Sequence, residues 1–80
     1  MAIKRLRFTF PEELIKEPVI YRLGHKFQII TNVRMADVDE KSGWVVLELE
    51  GDPDEIERSV RWAEEQGVRV DPVTGDVVEG

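Results

Sequence analysis

Hydrophobic and polar residues alternate in two stretches of this chain, Lys4–Phe10 and Trp44–Glu50, and this period of two predicts strands with one buried face. The apolar positions are Leu6, Phe8 and Phe10 in the first stretch and Val45, Leu47 and Leu49 in the second. A third extended run, Ile29–Val38, is followed by a turn that ends in Ser42-Gly43, so this run and Trp44–Glu50 are predicted to form a hairpin. Val68 and Val70 begin a fourth strand, and Val77-Val78 are compatible with a short fifth one.

Apolar residues recur at helical spacing in two other segments. The first begins at Pro18, since proline fits the first helical position, and its apolar stripe is Val19, Ile20, Leu23 and Phe27. Gly24 lies inside it, and close packing against the sheet is the expected reason. The second begins at Asp52-Pro53, where the aspartate is the capping residue, Glu55 is expected to complete a capping pair, and Gly67 ends the helix. The buried stripe of this helix is Ile56, Val60 and Ala63.

The order of elements, β-α-β-β-α-β, predicts an α+β fold of the ferredoxin-like split-βαβ type, in which a four-stranded antiparallel sheet carries two helices on one face. All elements fall in one domain, residues 1–80. Asn32 and Arg34 are predicted to point away from the helices, and a bulge near Ala36–Val38 would turn the last of these residues inward. The face without helices is predicted to carry Arg5, Arg7, Asn32, Arg34, Trp44, Val46 and Glu48. Because Trp44 and Val46 are unusual on an uncovered face, contact with another surface is expected there.

Composition excludes several classes of site. The chain contains no cysteine, which removes disulfides, iron–sulfur clusters and thiolate metal sites. His25 is the only histidine and has no ligand set around it in the sequence, so neither a metal nor another cofactor is predicted. The formal net charge of −6 disfavours nucleic-acid binding. The absence of cysteine is consistent with a cytoplasmic protein, which is the expected location. No apolar run approaches the ~18 residues of a membrane span, so no membrane insertion is expected.

Catalytic groups do not form a recognisable constellation in this sequence. There is no cysteine nucleophile, no histidine next to a plausible serine, and no phosphate-binding loop of the GxxxxGK[ST] type. The carboxylates lie mostly at helix starts and on solvated faces. The chain is therefore not expected to be an enzyme.

Four segments resemble the NIL domain family and together cover nearly the whole chain: TFPEELIKEPVIYRLGHKF, ITNVRMADV, GWVVLELEGDPDEIE and EEQGVRV. The Asn-Ile-Leu motif of that family falls on Asn32-Val33-Arg34, so the asparagine is kept and an arginine stands where the family has leucine. The resemblance implies a ferredoxin-like module of the kind found at the C-terminus of methionine-transporter ATPases and beside iron–sulfur domains. In transporters such a module binds methionine between paired domains and inhibits uptake. The implied ligand-binding residues are Thr31, Asn32, Val33, Arg34 and Met35.

Two functions are compatible with these features. One is a non-catalytic regulatory module that binds methionine or a related sulfur amino acid and acts as a homodimer, joined through the strand around Asn32 or through the open sheet face. The other is a protein-interaction subunit that docks on a separate enzyme or transporter of sulfur or amino-acid metabolism. The Asn32 amide both donates and accepts hydrogen bonds and favours a ligand, whereas Arg34, Trp44 and Val46 favour an interface. Two other roles are compatible with Arg34: holding a carboxylate through two hydrogen bonds, or protecting a strand edge from pairing by its charge. Trp44 is also compatible with a role inside the chain, in which it covers the sheet face locally.

Overall fold

Two helices and four strands follow one another in the predicted order in a computed structural model, which describes residues 1–73. The strands are β1 (Ala2–Phe10), β2 (Ile29–Val38), β3 (Gly43–Gly51) and β4 (Arg69–Pro72), and the helices are α1 (Val19–Lys26) and α2 (Pro53–Gln66). A short 3₁₀ turn, Glu12–Leu14, lies between β1 and α1. The fifth strand considered at Val77-Val78 lies outside the described residues.

The four strands form one antiparallel sheet in the order β2-β3-β1-β4. β3 and β1 are the central strands of this order, and β2 and β4 are its edges. Helix α1 packs against β2, and α2 packs against β3 and β4. This is the ferredoxin-like arrangement, so the α+β fold predicted from the sequence is confirmed.

The hydrophobic core lies between the helices and the inward-facing residues of β1 and β3. Its strand residues are the alternating apolar positions Leu6, Phe8, Phe10, Val45, Leu47 and Leu49. The helices close it with Val19 and Leu23 of α1 and Ile56 and Ala63 of α2. Ser59 is fully buried as well, and its hydroxyl donates a 2.7 Å hydrogen bond to the carbonyl of Ile56. The buried hydroxyl is therefore satisfied by its own helix.

Helix α2 begins and ends as its sequence predicts, with one difference. The Asp52 carboxylate accepts a 3.0 Å hydrogen bond from the Asp54 N–H, and Gly67 has the left-handed φ of 109° that ends the helix. Glu55 does not complete the expected capping pair. Its Oε2 instead accepts a 3.0 Å hydrogen bond from the backbone N–H of Gln28, which ties the start of α2 to the segment that leads into β2.

Replacing Leu47 by alanine is expected to lower the free energy of unfolding by about 2–5 kcal/mol, because its side chain is fully buried in a central strand and truncation leaves a cavity. Urea denaturation followed by tryptophan fluorescence measures this loss. Val33→Ala on the edge strand is the matched control: its side chain is 53% exposed, and we expect a change of about 0.5 kcal/mol or less. Equal losses in the two variants would contradict the burial pattern of the sheet.

Candidate functional site

Edge strand β2 is the most exposed strand of the sheet. Among residues 1–73 it pairs with β3 on one side only, and every residue from Asn32 to Val38 is exposed. Its exposed large apolar residues are Ile30, Val33, Met35 and Val38, each with more than half of its surface accessible. A strand edge that combines available backbone groups with apolar side chains is a template for pairing with another chain.

A β-bulge at Arg34 decides which side chains of β2 face the helices. Val33 lies opposite Leu47 of β3 and Met35 lies opposite Val46, so Arg34 is the extra residue. Before the bulge the odd-numbered residues of β2 share the helix side of the sheet, and after it the even-numbered residues do. The bulge expected from the sequence is present, but it lies earlier in the strand than predicted. Met35 consequently faces the open side of the sheet rather than the helix side.

The five candidate ligand residues are divided between the two faces of the sheet. Thr31 and Val33 lie on the helix side, whereas Asn32, Arg34 and Met35 lie on the open side. A pocket on one face therefore cannot contact all five. The two sets meet only at the outer edge of β2, where a ligand lying along the strand reaches side chains of both faces.

On the open face the polar candidates surround Glu48 of β3. Arg5 Nη2 and Nε donate to Glu48 Oε2 at 2.6 and 3.2 Å, and Arg34 Nε lies 3.9 Å from the same oxygen. Asn32 lies opposite Glu48 in the strand ladder. The hydrogen bond from Arg5, followed by the charge of Arg34 and a hydrogen bond from Asn32, lowers the pKa of Glu48 against the opposing effect of burial. The protein's own carboxylate thus lies where Asn32 and Arg34 would hold the carboxylate of a ligand.

Trp44 and Val46 are packed within the chain, which differs from their expected role at an interface. Val46 is only 3% exposed, because Arg7 of β1 and Met35 of β2 flank it on the open face. Trp44 is half-buried, and the Arg7 guanidinium lies over its ring at 4.9 Å from the centroid, as in a cation–π contact. Val46 therefore offers no accessible surface to a partner, and the position of Trp44 fits local cover of the sheet. Arg34 is the exposed member of the three predicted interface residues.

A cleft on the helix side of β2 contains residues that the sequence did not single out for binding. It has a volume of about 300 Å³, and Ile20, Tyr21, Gly24, His25 and Thr31 line it. The rings of Tyr21 and His25 stack, with centroids 5.3 Å apart and an angle of 14° between their planes. Of its lining residues, only Thr31 was a candidate from the sequence. The available signal was Gly24, a glycine in a helix interior.

Two other features of residues 1–73 carry no site. A recess with a volume of about 710 Å³ lies at the opposite edge of the sheet, between β1, α2 and β4. None of the candidate residues predicted from the sequence is among those that line it. In this part of the chain there is no group of three or more histidine, aspartate or glutamate side chains that could hold a metal ion. None of its helices is long and apolar enough to cross a membrane.

Comparison with known proteins gives one family and one fold. The model of the NIL domain family matches residues 4–72. Eight solved protein chains match significantly, among them the C-terminal domain of an ABC transporter/ATP-binding protein from Enterococcus faecalis. That structure superposes with a TM-score of 0.76 at 18% sequence identity and covers 88% of this chain and 82% of its own. No curated protein matches the chain significantly. The structural likeness supports the ferredoxin-like fold.

Replacing Glu48 by glutamine is expected to make the free energy of unfolding less dependent on pH. Because folding lowers the pKa of Glu48, its ionised form stabilises the fold above the ordinary glutamate pKa of about 4.3. This contribution is lost as the pH falls through the lowered value in the folded state. Urea denaturation should find the variant less stable than the wild type near neutral pH, and the difference should shrink near pH ~3.

Glu65→Gln is the control for this experiment, because Glu65 lies at an exposed position of α2 away from the arginines of the open face. The difference in the free energy of unfolding between this control and the wild type should be small and should not change between neutral and acidic pH. A Glu48→Gln variant that differs from the wild type by the same amount at both pH values would contradict the role of Glu48.

Proposed function

Because the chain belongs to the NIL domain family, we propose that it is a non-catalytic regulatory module that binds methionine or a related sulfur amino acid and works as a pair of copies joined through β2. The observation that carries this proposal is the exposed edge of β2, where the family's Asn motif and four exposed apolar side chains occur on one strand. An edge of this kind pairs with an extended strand, and a second copy supplies one.

Charge also favours a second copy at this edge. Arg34 and Asp37 lie on the open side of β2, one at the bulge and the other opposite Trp44 of β3. In a two-fold symmetric, antiparallel pairing about the middle of this stretch, Arg34 of each copy would lie close to the aspartate of the other. Because a two-fold interface repeats each contact, one favourable pair of this kind occurs twice.

The side chains at the edge suit an amino-acid ligand. The Asn32 amide and the Thr31 hydroxyl each donate and accept hydrogen bonds, and Arg34 carries a positive charge for a carboxylate. Val33 and Met35 supply apolar contact along the same strand. A ligand held between two such edges would stabilise the pair over the single copy by mass action, which is how a non-catalytic module regulates.

The setting we propose is the cytoplasmic side of a transporter. Support comes from the E. faecalis structure, which is the C-terminal domain of an ABC transporter/ATP-binding protein. The regulated partner would then be a separate transporter or enzyme. The alternative function, docking on such a partner without a ligand, depends on the open face. There Trp44 and Val46 are engaged within the chain, whereas Met35 is exposed.

Asn32→Ala is expected to weaken the binding of L-methionine by about tenfold or more, because it removes an amide that hydrogen-bonds the ligand. Calorimetric titration measures the affinity, with homocysteine and cysteine as further ligands. Gln66→Ala, which removes an exposed amide at the end of α2, is the matched control and should bind like the wild type. Unchanged affinity in Asn32→Ala would remove Asn32 from the site. No heat from the wild type with any of the three ligands would favour the docking alternative.

Val33→Lys is expected to shift the protein from dimer toward monomer, because a lysine on the edge of a sheet opposes strand pairing. The substitution should raise the dissociation constant of the dimer by roughly tenfold or more. Sedimentation velocity over a range of protein concentrations measures this change. Ile3→Lys is the matched control, since Ile3 is similarly exposed but lies on β1, away from β2. A dimer that both substitutions leave intact would exclude β2 as the interface.

A further inference from the structure

Helix α1 contains a glycine that the packing of the chain does not require. A Cβ atom added at Gly24 would lie 3.6 Å from both Cγ2 and Oγ1 of Thr31, which is ordinary van der Waals contact. Alanine would therefore fit at this position, and it is the better residue inside a helix. The close packing expected from the sequence does not explain the glycine, because room for a methyl group remains between α1 and β2.

This room belongs to the cleft beside β2. Ile20 and the stacked rings of Tyr21 and His25 form its wall on α1, and Thr31 forms its wall on the strand. Its volume of about 300 Å³ is at the lower end of the range for small-molecule pockets. The cleft is open to solvent in the single chain, and it adjoins the edge at which we propose that a second copy binds.

We propose that this cleft receives the side chain of the amino-acid ligand, and that Gly24 provides the depth that a short, unbranched apolar chain such as a thioether needs. The inference rests on the function proposed above and assigns to it a helix-side subsite. Thr31 connects this subsite with the candidate ligand residues of β2, because it lines the cleft and belongs to that strand. Its neighbour Asn32 is on the opposite face but at the same edge, within reach of the polar end of a ligand that lies across the edge.

The chemistry of the cleft matches this class of ligand. Its walls are an aliphatic side chain and two aromatic rings, and a thioether sulfur makes favourable contacts with aromatic rings. Arg22 of α1 pairs with Glu17 at 3.3 Å, and the residues that line the cleft include neither Arg22 nor Lys26. The cleft therefore accounts for the side chain of the ligand, and its charged end would lie at the edge of β2.

Gly24→Ala tests the subsite. The variant should melt at a higher temperature than the wild type, because alanine favours the helix, and yet bind L-methionine about tenfold or more weakly, because the methyl group occupies the cleft. The loss should be smaller for cysteine, whose shorter side chain does not reach as deep. Thermal unfolding and calorimetric titration measure the two effects. Lys26→Ala, a change to alanine at an exposed position of the same helix, should leave methionine affinity within about twofold of the wild type.

A second variant and a direct readout keep the test decisive if Gly24→Ala folds poorly. Thr31→Val replaces the hydroxyl by a methyl group of similar shape and should also weaken methionine binding. Amide chemical shifts of the wild type, recorded with increasing L-methionine, should move at Gly24 and Thr31. If the wild type binds methionine but these amides do not move, or if both variants bind normally, the subsite is wrong and the proposed function stands. If the wild type binds no methionine, both proposals fail.

Discussion

The pairing of β1 with β3 is the constraint on which the rest of the structure depends. The two strands are in continuous register over nine residue pairs, from Ala2 opposite Gly51 to Phe10 opposite Gly43. Because both strands alternate apolar and polar residues in phase, one face of the pair buries the core and the other carries charges. The glycines at the ends of β3 let β2 approach: a Cβ at Gly43 would lie 3.0 Å from the side chain of Val38, and one at Gly51 would lie 3.0 Å from a backbone oxygen of Gln28.

Placing β1 and β3 at the centre leaves β2 at the edge, and the function proposed above depends on this position. Among residues 1–73 only β3 pairs with β2, so this edge strand of ten residues is accessible in the described part of the chain. The bulge at Arg34 then divides its side chains, with Thr31 and Val33 on one face and Arg34 and Met35 on the other. An edge that presents different chemistry on its two faces suits a ligand enclosed between two copies better than one lying on a flat sheet.

Much of the fold could be predicted from the sequence, because the period-two runs, the cap at Asp52 and the stop at Gly67 are local signals. The site was less predictable, because its geometry depends on residues distant in the chain. The placement of the bulge requires the register against β3, and the burial of Val46 requires the long side chains of neighbouring strands to lie over it. Glu55 looked like half of a capping pair, but its partner is Gln28, which is 27 positions away. Tertiary contacts therefore decided each of these differences.

The two faces of β2 differ in which groups and how much space the chain leaves available to a ligand. On the open face Glu48 already engages Arg5 and lies 3.9 Å from Arg34, so a ligand carboxylate at Arg34 must compete with one that the protein supplies. On the helix side the cleft at Gly24 holds room that the chain itself does not fill. Discrimination among amino acids by side-chain length would then arise at α1, while Asn32 and Arg34 would respond to the groups that all amino acids share. Under the proposed function, this division would allow the arginine to stand at the motif's leucine position without removing selectivity for an apolar side chain, because the residue that would limit the depth is a glycine on the other face.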